Sequence, residues 1–399
     1  MPDRSANTVL GLALEVTPGT FVAPSAPDDL LTVADLRPNI AGLTSDVNEF
    51  TGSIHKPGAK VGGATFEVSG RCLLRGPGGS SPPTADAYVA GRILRAAGFA
   101  ETILDASVPS GGAEALGGSG NTTSIAALGT GATATDDLYT GLAIELASLG
   151  TIGQAASLAM IKDYVGTGKL ASIAQTAGAA YTGNYLIPPQ LAYILSSDEP
   201  PSLSASCWIG SKRYDGVGLS ISSFRINLPT FSRDNTEYPS LEFTLTGDLY
   251  QDADDTCPTP DTSIAVPPFK NGKLWIGNTA LGGTSVNIDF GAQVAYAPNP
   301  NKVTGNEAAV LVETTRRAEF NLNHVSKATF DFIGKANAQE YHSIMAMYGL
   351  ASGNYIGALV PNARFNFPSP DNGGPLVNMT GEMLIDDSDY GIALTFPYY

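Results

Sequence analysis

The side chains able to bind metals or perform acid–base and nucleophilic chemistry are few in this chain and poorly spaced for it. Its 399 residues include three histidines and three cysteines. His55, His324 and His342 each lack a partner at the i+3 or i+4 spacing that places two ligands on one helix face. His342 is expected on the surface or interface side of a helix. Cys72, Cys207 and Cys257 are odd in number, far apart, and without a C-x-x-C or an adjacent base. They read as buried small apolar residues in a reducing compartment rather than as disulfides or redox centres. No phosphate-binding G-x-x-x-x-G-K-[ST], no G-x-G-x-x-G opening a helix, and no G-x-S-x-G elbow occurs. Asp386-Asp387-Ser388-Asp389-Tyr390-Gly391 resembles the first half of a calcium loop. The bidentate Glu of the twelfth position is missing, so a solvated acidic turn is expected. No spacing singles out a carboxylate pair for glycoside hydrolysis, whose separation is spatial. The chain is therefore not expected to be an enzyme or to carry a metal or cofactor, and a structural role remains.

Composition narrows the class further. There are 22 Lys+Arg against 38 Asp+Glu, a net charge of −16, with 43% apolar and only 15% charged residues. Disordered chains combine low hydrophobicity with high charge, so a folded protein is expected. A basic nucleic-acid binder is excluded, because neutralising phosphates takes an excess of Lys and Arg. No apolar run approaches the ~18 residues of a membrane span. The opening MPDRSANTVLGLALEV balances its Arg with Asp3 and breaks its apolar patch at Glu15, a poor secretory signal. At about 100–200 residues per domain, the length predicts two or three domains, each with its own core.

Period-two patterns dominate the elements that must do the positioning. Phe66 and Val68 alternate with Thr65, Glu67 and Ser69. Phe224, Ile226 and Leu228 alternate with Arg225 and Asn227, and Leu241, Phe243 and Leu245 with Glu242, Thr244 and Thr246. Each predicts a half-buried antiparallel strand. Helical spacing is confined to Asp86–Ala97, stopping at Gly98, and Ala336–Tyr348, stopping at Gly349.

Four stretches recur in order. Ala64-Thr65-Phe66-Glu67-Val68-Ser69-Gly70-Arg71 matches Ala328-Thr329-Phe330-Asp331-Phe332-Ile333-Gly334-Lys335, and each is followed by one of the helices. Arg225-Ile226-Asn227-Leu228-Pro229 matches Arg364-Phe365-Asn366-Phe367-Pro368. Leu245-Thr246-Gly247-Asp248-Leu249 matches Met379-Thr380-Gly381-Glu382-Met383. The order implies a duplicated unit, 1–105 with 190–255 and then 256–399. Segment 106–189 makes the first copy longer. It is poor in charge and rich in Ala, Gly, Ser and Thr. Leu142, Ile144 and Leu146, and Met160-Ile161 before Asp163-Tyr164-Val165-Gly166, predict a small inserted β domain rather than a tether. Its scattered Tyr139, Tyr164, Tyr181 and Tyr185 suit either a recognition surface or a small core.

Glu15-Val16-Thr17-Pro18-Gly19-Thr20 resembles the start of tail tube (major tail) proteins of long, non-contractile-tailed bacteriophages. Leu94-Arg95-Ala96-Ala97-Gly98-Phe99 resembles the same group, as do Pro201-Ser202-Leu203-Ser204 and Asp215-Gly216 with the strands up to Gly247-Asp248. Ala134–Gly141, continuing to Asp163-Tyr164, resembles a small β module inserted in several phage structural proteins. There Leu149-Gly150-Thr151-Ile152-Gly153-Gln154 replaces the usual Gly-x-Gly before the Gln.

The resemblance implies a mainly β fold: two tandem β-sandwich domains, each with a flanking helix, and an inserted β domain on the outer surface. It implies stacked rings around a tape-measure protein, capped by tail terminator and distal tail proteins, which become the conduit for DNA ejection. The site is then the virion tail, assembled in the bacterial host cytoplasm, with no membrane partner. Single-domain relatives make rings of six, so a two-domain chain implies a trimeric ring, with hexamers as the alternative. Glu67 with Asp331, and Asp248 with Glu382, are candidates to face the lumen and repel phosphate. The outer surface or the ring-to-ring contact is the alternative place for them. Arg225 and Arg364 could pair with carboxylates across a subunit boundary or stand as exposed strand charges. Tyr398 and Tyr399 complete a strand or dock on a neighbour. A capsid or tail decoration protein, or a receptor-binding protein using the inserted domain, is the competing function.

Overall fold

The computed structural model describes residues 8–25, 27–46, 59–117, 119–302, 305–374, 376–385 and 392–399. His55 and the acidic turn Asp386–Gly391 lie outside them. The chain is mainly β, with 49% strand and 5% helix, in keeping with its period-two patterns.

The first half runs through β1 (Thr8–Leu14), β2 (Leu30–Leu31), β3 (Ala34–Ser45), β4 (Lys60–Leu73), α1 (Val89–Ala96) and β5 (Phe99–Leu104). Six strands follow: β6 (Glu114–Ala115), β7 (Ile125–Ala127), β8 (Ala143–Leu146), β9 (Leu158–Val165), β10 (Leu170–Ile173) and β11 (Asn184–Leu186). The first half resumes with β12 (Gln190–Leu195), β13 (Leu203–Ile209), β14 (Lys212–Pro229) and β15 (Ser240–Asp254). The second half has β16 (Lys273–Ile276), β17 (Thr279–Ala280), β18 (Gly283–Ala295), β19 (Val310–Asn323) and α2 (Phe332–Ala338). It ends with β20 (Tyr341–Gly349), β21 (Tyr355–Phe365), β22 (Ser369–Asp371), β23 (Asn378–Ile385) and β24 (Ala393–Pro397).

One antiparallel pairing order occurs twice. In the first half it reads β2, β1, β13, β14, β15, β4, β3. In the second it reads β17, β16, β20, β21, β23, β19, β18. A helix follows the corresponding strand in each, α1 after β4 and α2 after β19. The halves meet where β14 pairs with β18, from Phe224 opposite Phe290 to Pro229 opposite Ser285. They meet again where β12 lies between β5 and β24, and β24 pairs with β21.

That second joint corrects the expectation of separate cores. Leu191 and Phe224 share one apolar cluster with Phe320, Phe365 and Phe396. Strands of the two halves adjoin at both joints, so their apolar faces close over a common interior.

The pairing also corrects the residue-level repeat. Gly247 lies opposite Phe66, and Gly381 lies opposite Phe320. The match of Leu245–Leu249 with Met379–Met383 therefore agrees with the ladders. The ladders equate Ala64-Thr65-Phe66-Glu67-Val68 with Ala318-Glu319-Phe320-Asn321-Leu322, not with the stretch from Ala328. That stretch is a turn leading into α2. Arg225 and Arg364 are not equivalent either. Arg364 lies opposite Leu384, the neighbour of Met383, whereas Arg225 lies opposite Glu242.

The first helix is shorter than predicted at its start and ends as predicted, with Gly98 in the left-handed region at φ 93°. The second is displaced: α2 ends at Ala338, capped by Gln339 at φ 53°, and the predicted helical stretch from Tyr341 onward becomes β20. His342–Tyr348 is buried on both faces between β16 and β21. A continuous apolar run of that kind has no period of two to distinguish it from a buried helix.

Segment 106–189 forms its own six-stranded sheet, in the order β6, β11, β8, β9, β10, β7. Tyr139, Tyr164, Tyr181 and Tyr185 are all buried in its core. Tyr139 donates to Thr133 Oγ1 and Tyr185 to Glu114 Oε2. They are core residues, so none is a recognition surface. The segment leans on the second half. Ala143, Leu158 and Met160 pack with Met345, Met347, Tyr355 and Leu359. Lys273 Nζ donates to the carbonyls of Ala156 (2.8 Å) and Leu158 (2.5 Å).

Candidate assembly surface

Two adjacent rows cross the sheet from β4 through β15, β14 and β18 to β19, and they differ completely in chemistry. Cys72, Leu241, Ile226, Ile288 and Ala318 are successive register partners, and all are buried. The next row is Arg71, Glu242, Arg225, Asp289 and Arg317, again successive partners. Successive residues in a strand point to opposite faces, so the first row faces the core and the second faces outward. The outer row alternates in sign at every step. Opposite charges directly across a strand pair stabilise by roughly 0.2–1 kcal/mol.

Beyond Arg317 the row passes to Leu384 and then Arg364, and carboxylates stand beside both ends of the alternating stretch. Asp35 lies 3.9 Å from Arg71. Glu382 lies 3.3 Å from Arg317, and Glu319 pairs with Arg225. Glu319 and Glu382 are themselves register partners, a like-charge contact that the two arginines neutralise. Arg71, Arg225 and Arg317 thus stand among five carboxylates, on a face that Arg37, opposite Ser69, and Arg364, opposite Leu384, share.

Three of the four lumen candidates share this face. Glu67 is exposed on β4 opposite Thr246, and Asp248 follows two residues along β15. Both lie near Tyr296, whose hydroxyl is 2.8 Å from Thr246 Oγ1. Burial, and then the Asp248 and Glu67 carboxylates, raise the Tyr296 phenol above its ordinary value. Glu382 accepts from Asn366 Nδ2 at 2.8 Å besides meeting Arg317. Asp331 is elsewhere. It caps α2, accepting from Gly334 N at 2.9 Å, and meets Lys327 at 3.3 Å. Those contacts hold its carboxyl below the usual range, with the Gly334 N–H the largest cause. It is no counterpart of Glu67, because the register gives that position to Asn321.

The interface candidates separate in the same way. Arg225 joins the two halves of its own chain through Glu319. Arg364 lies over the Tyr341 ring at 4.9 Å. Tyr398 is buried and donates to the Gly78 carbonyl at 2.9 Å, so its hydroxyl serves an internal contact. Tyr399 packs edge-on against Tyr355. β24 takes in Phe396 and Pro397 and ends there, so Tyr398 and Tyr399 follow the strand rather than belong to it.

Sequence reasoning missed the use of Glu15. Its buried carboxylate accepts from Gly19 N (2.7 Å), Ser202 Oγ (2.7 Å), Ser204 Oγ (2.8 Å) and Gly218 N (2.8 Å). Gly218 adopts φ 62°, which aims its N–H into this cradle. Three segments far apart in sequence, Glu15–Thr20, Pro201–Ser204 and the irregularity in β14 just after Asp215-Gly216, are thereby tied to one side chain. A lone acid ending an apolar strand was the available signal.

His342 is also corrected. It is buried on β20 against Phe330 and Phe365, not on a helix surface. Burial, reinforced by Lys335, lowers it to about 4. Burial likewise pushes the Cys72 and Cys207 thiols up to about 12, which leaves them poor nucleophiles. Among the described residues no three His, Cys, Asp or Glu side chains gather as a metal site. No family model matches the chain, and no curated protein matches it.

Proposed function

We propose that this chain is a structural subunit that polymerises with itself into stacked rings, forming a phage tail tube through which DNA passes. The observation that carries the reading is a single pairing order used twice and joined edge to edge within one chain. Two tandem copies of a ring-forming unit allow three chains to close a ring of six units. Closure also satisfies strand edges that otherwise seek partners.

The charged row suits the inner wall of such a tube. Duplex DNA carries one negative charge per about 1.7 Å of axis and is held by unneutralised Lys and Arg. Arg71, Arg225 and Arg317 are matched by five carboxylates, Glu382 among them, and Glu67 and Asp248 add negative charge to a face that also carries Arg37 and Arg364. DNA then slides past a hydrated, repelling wall. The 106–189 unit, packed on β20 and β21, projects away as a decoration of the outer surface. A tape-measure protein fills the lumen during assembly, and terminator and distal tail proteins close the ends.

Negative-stain electron microscopy of the purified protein tests this. Rings of six-fold appearance containing three chains, or stacks of them, are expected. Compact monomers at all concentrations would overturn the reading.

A further inference from the structure

The 106–189 sheet is held to the rest of the chain at two places whose polar groups are satisfied to very different degrees. Near its connections, Gln190 is fully buried on β12 and its side-chain amide is well used. Oε1 accepts from Ala143 N at 2.8 Å, and Nε2 donates to the carbonyls of Ala143 (3.0 Å) and Pro188 (3.2 Å). Two short stretches, Asp105–Ser107 and Pro188–Pro189, lead from the Leu104–Gln190 pair to the Val108–Ile187 bridge inside the unit. This end has the makings of a pivot.

The other end rests on the β16–β17 hairpin. Its two-residue turn, Gly277-Asn278, has φ of 54° and 64°, as a tight hairpin turn requires. Thr176 Oγ1 of the inserted unit donates to the Asn278 carbonyl at 2.6 Å. Gly277 N donates to the Ser343 carbonyl at 2.8 Å, which sets Ser343 beside the turn. Around this contact, Gln175 Oε1, Asn278 Oδ1 and Ser343 Oγ are buried and find no hydrogen-bond partner. Further along β16, Lys273 holds its ammonium against two neutral carbonyls, and burial lowers it to about 8. Polar groups buried without partners and a charge taken from water both cost free energy, and opening this end to solvent would relieve them. The apolar contacts of Leu158, Met160 and Ala174 with Met345, Met347, Tyr355 and Leu359 oppose that opening.

We propose that the inserted sheet is a hinged flap, which turns about the Gln190–Ala143 contact and opens its seam with β20 and β21. The Thr176–Asn278 hydrogen bond is its latch, and the partly buried Lys273 charge favours the open state. Opening uncovers a methionine-lined patch on β20 and β21 while the core shared by the two halves stays closed.

Methionine oxidation reads this motion, because the buried methionines divide between seam and core. Met160, Met345 and Met347 line the seam, whereas Met379 and Met383 belong to the shared core. All five are at most 4% exposed. The full-length protein is treated with dilute hydrogen peroxide, and initial rates are read by peptide mass spectrometry. The seam methionines should oxidise about tenfold faster than the core ones, since a partial opening needs less free energy than exposing the core. Lys273→Leu removes the buried charge and should slow seam oxidation. Thr176→Val releases the latch and should speed it. Equal rates at all five methionines of the wild-type protein would overturn the flap. So would a ratio of seam to Met383 oxidation that neither variant shifts. That ratio is informative even for a destabilised variant, because global unfolding exposes all five alike.

Discussion

Arg225 on β14 reaches over β18 to pair with Glu319 on β19, so one side chain spans the seam between the two halves of the molecule. Removing it leaves Glu242, Asp289, Glu319 and Glu382 close together with one cation fewer. Arg225→Ala should cost about 1 kcal/mol, the upper end for a partly exposed pair. Urea unfolding measures the loss, which should shrink in 1 M salt because solvent ions screen such charges. A loss unchanged by salt would mean that packing, not charge, sets the contribution of Arg225.

Glu15 supports a larger prediction. Glu15→Ala leaves two hydroxyls and two backbone N–H groups without their acceptor in a buried site. Hydrogen bonds to a charged group contribute about 1.5–3 kcal/mol, and buried orphaned donors are costly. A loss of about 3 kcal/mol in urea unfolding is expected, with Glu15→Gln falling between the variant and wild type. A neutral Glu15→Ala would show that the four contacts contribute nothing net.

His342 predicts a pH dependence. Its folded value, about 4, lies below the ordinary 6.5 because burial penalises the charged ring. Lys335 and Lys162 lower it further, and Glu340, 3.7 Å away, opposes them. Between these values the unfolded chain binds more protons than the folded one. Stability from this group is therefore complete above pH 6.5 and is lost as pH falls towards 4. Urea midpoints from pH 4 to 7 should fall more steeply for wild type than for His342→Gln. Equal slopes would remove His342 as a source of the acid sensitivity.

Excision of 106–189 is geometrically open, because Leu104 and Gln190 are register partners on β5 and β12. An Asn-Gly link suits a two-residue hairpin between them. The shortened protein should keep its β-sheet circular dichroism. It should bind an apolar dye more strongly, because Met345, Met347, Tyr355 and Leu359 lose their cover. Failure to fold would make the inserted sheet part of the core structure.

How much of this was legible beforehand depends on where each signal lies. β4, β14 and β15 were readable from residues alternating between water and the core. β20 was not, because burial on both faces erases the alternation. The duplication was visible as an ordered recurrence, but its register was not. Strand composition is narrow enough that Ala64-Thr65-Phe66 finds a closer textual match at Ala328 than at its ladder equivalent, Ala318.

The sequence by itself determined the β class, the strand faces and the acidic balance, because these follow from local composition and a period of two. Only the tertiary structure decided which charges meet. Arg71, Glu242, Arg225, Asp289 and Arg317 are scattered over nearly two-thirds of the chain and become neighbours through ladder register alone. Glu15 shows the same limit: its four donors come from three segments, and no local pattern encodes a contact made by folding.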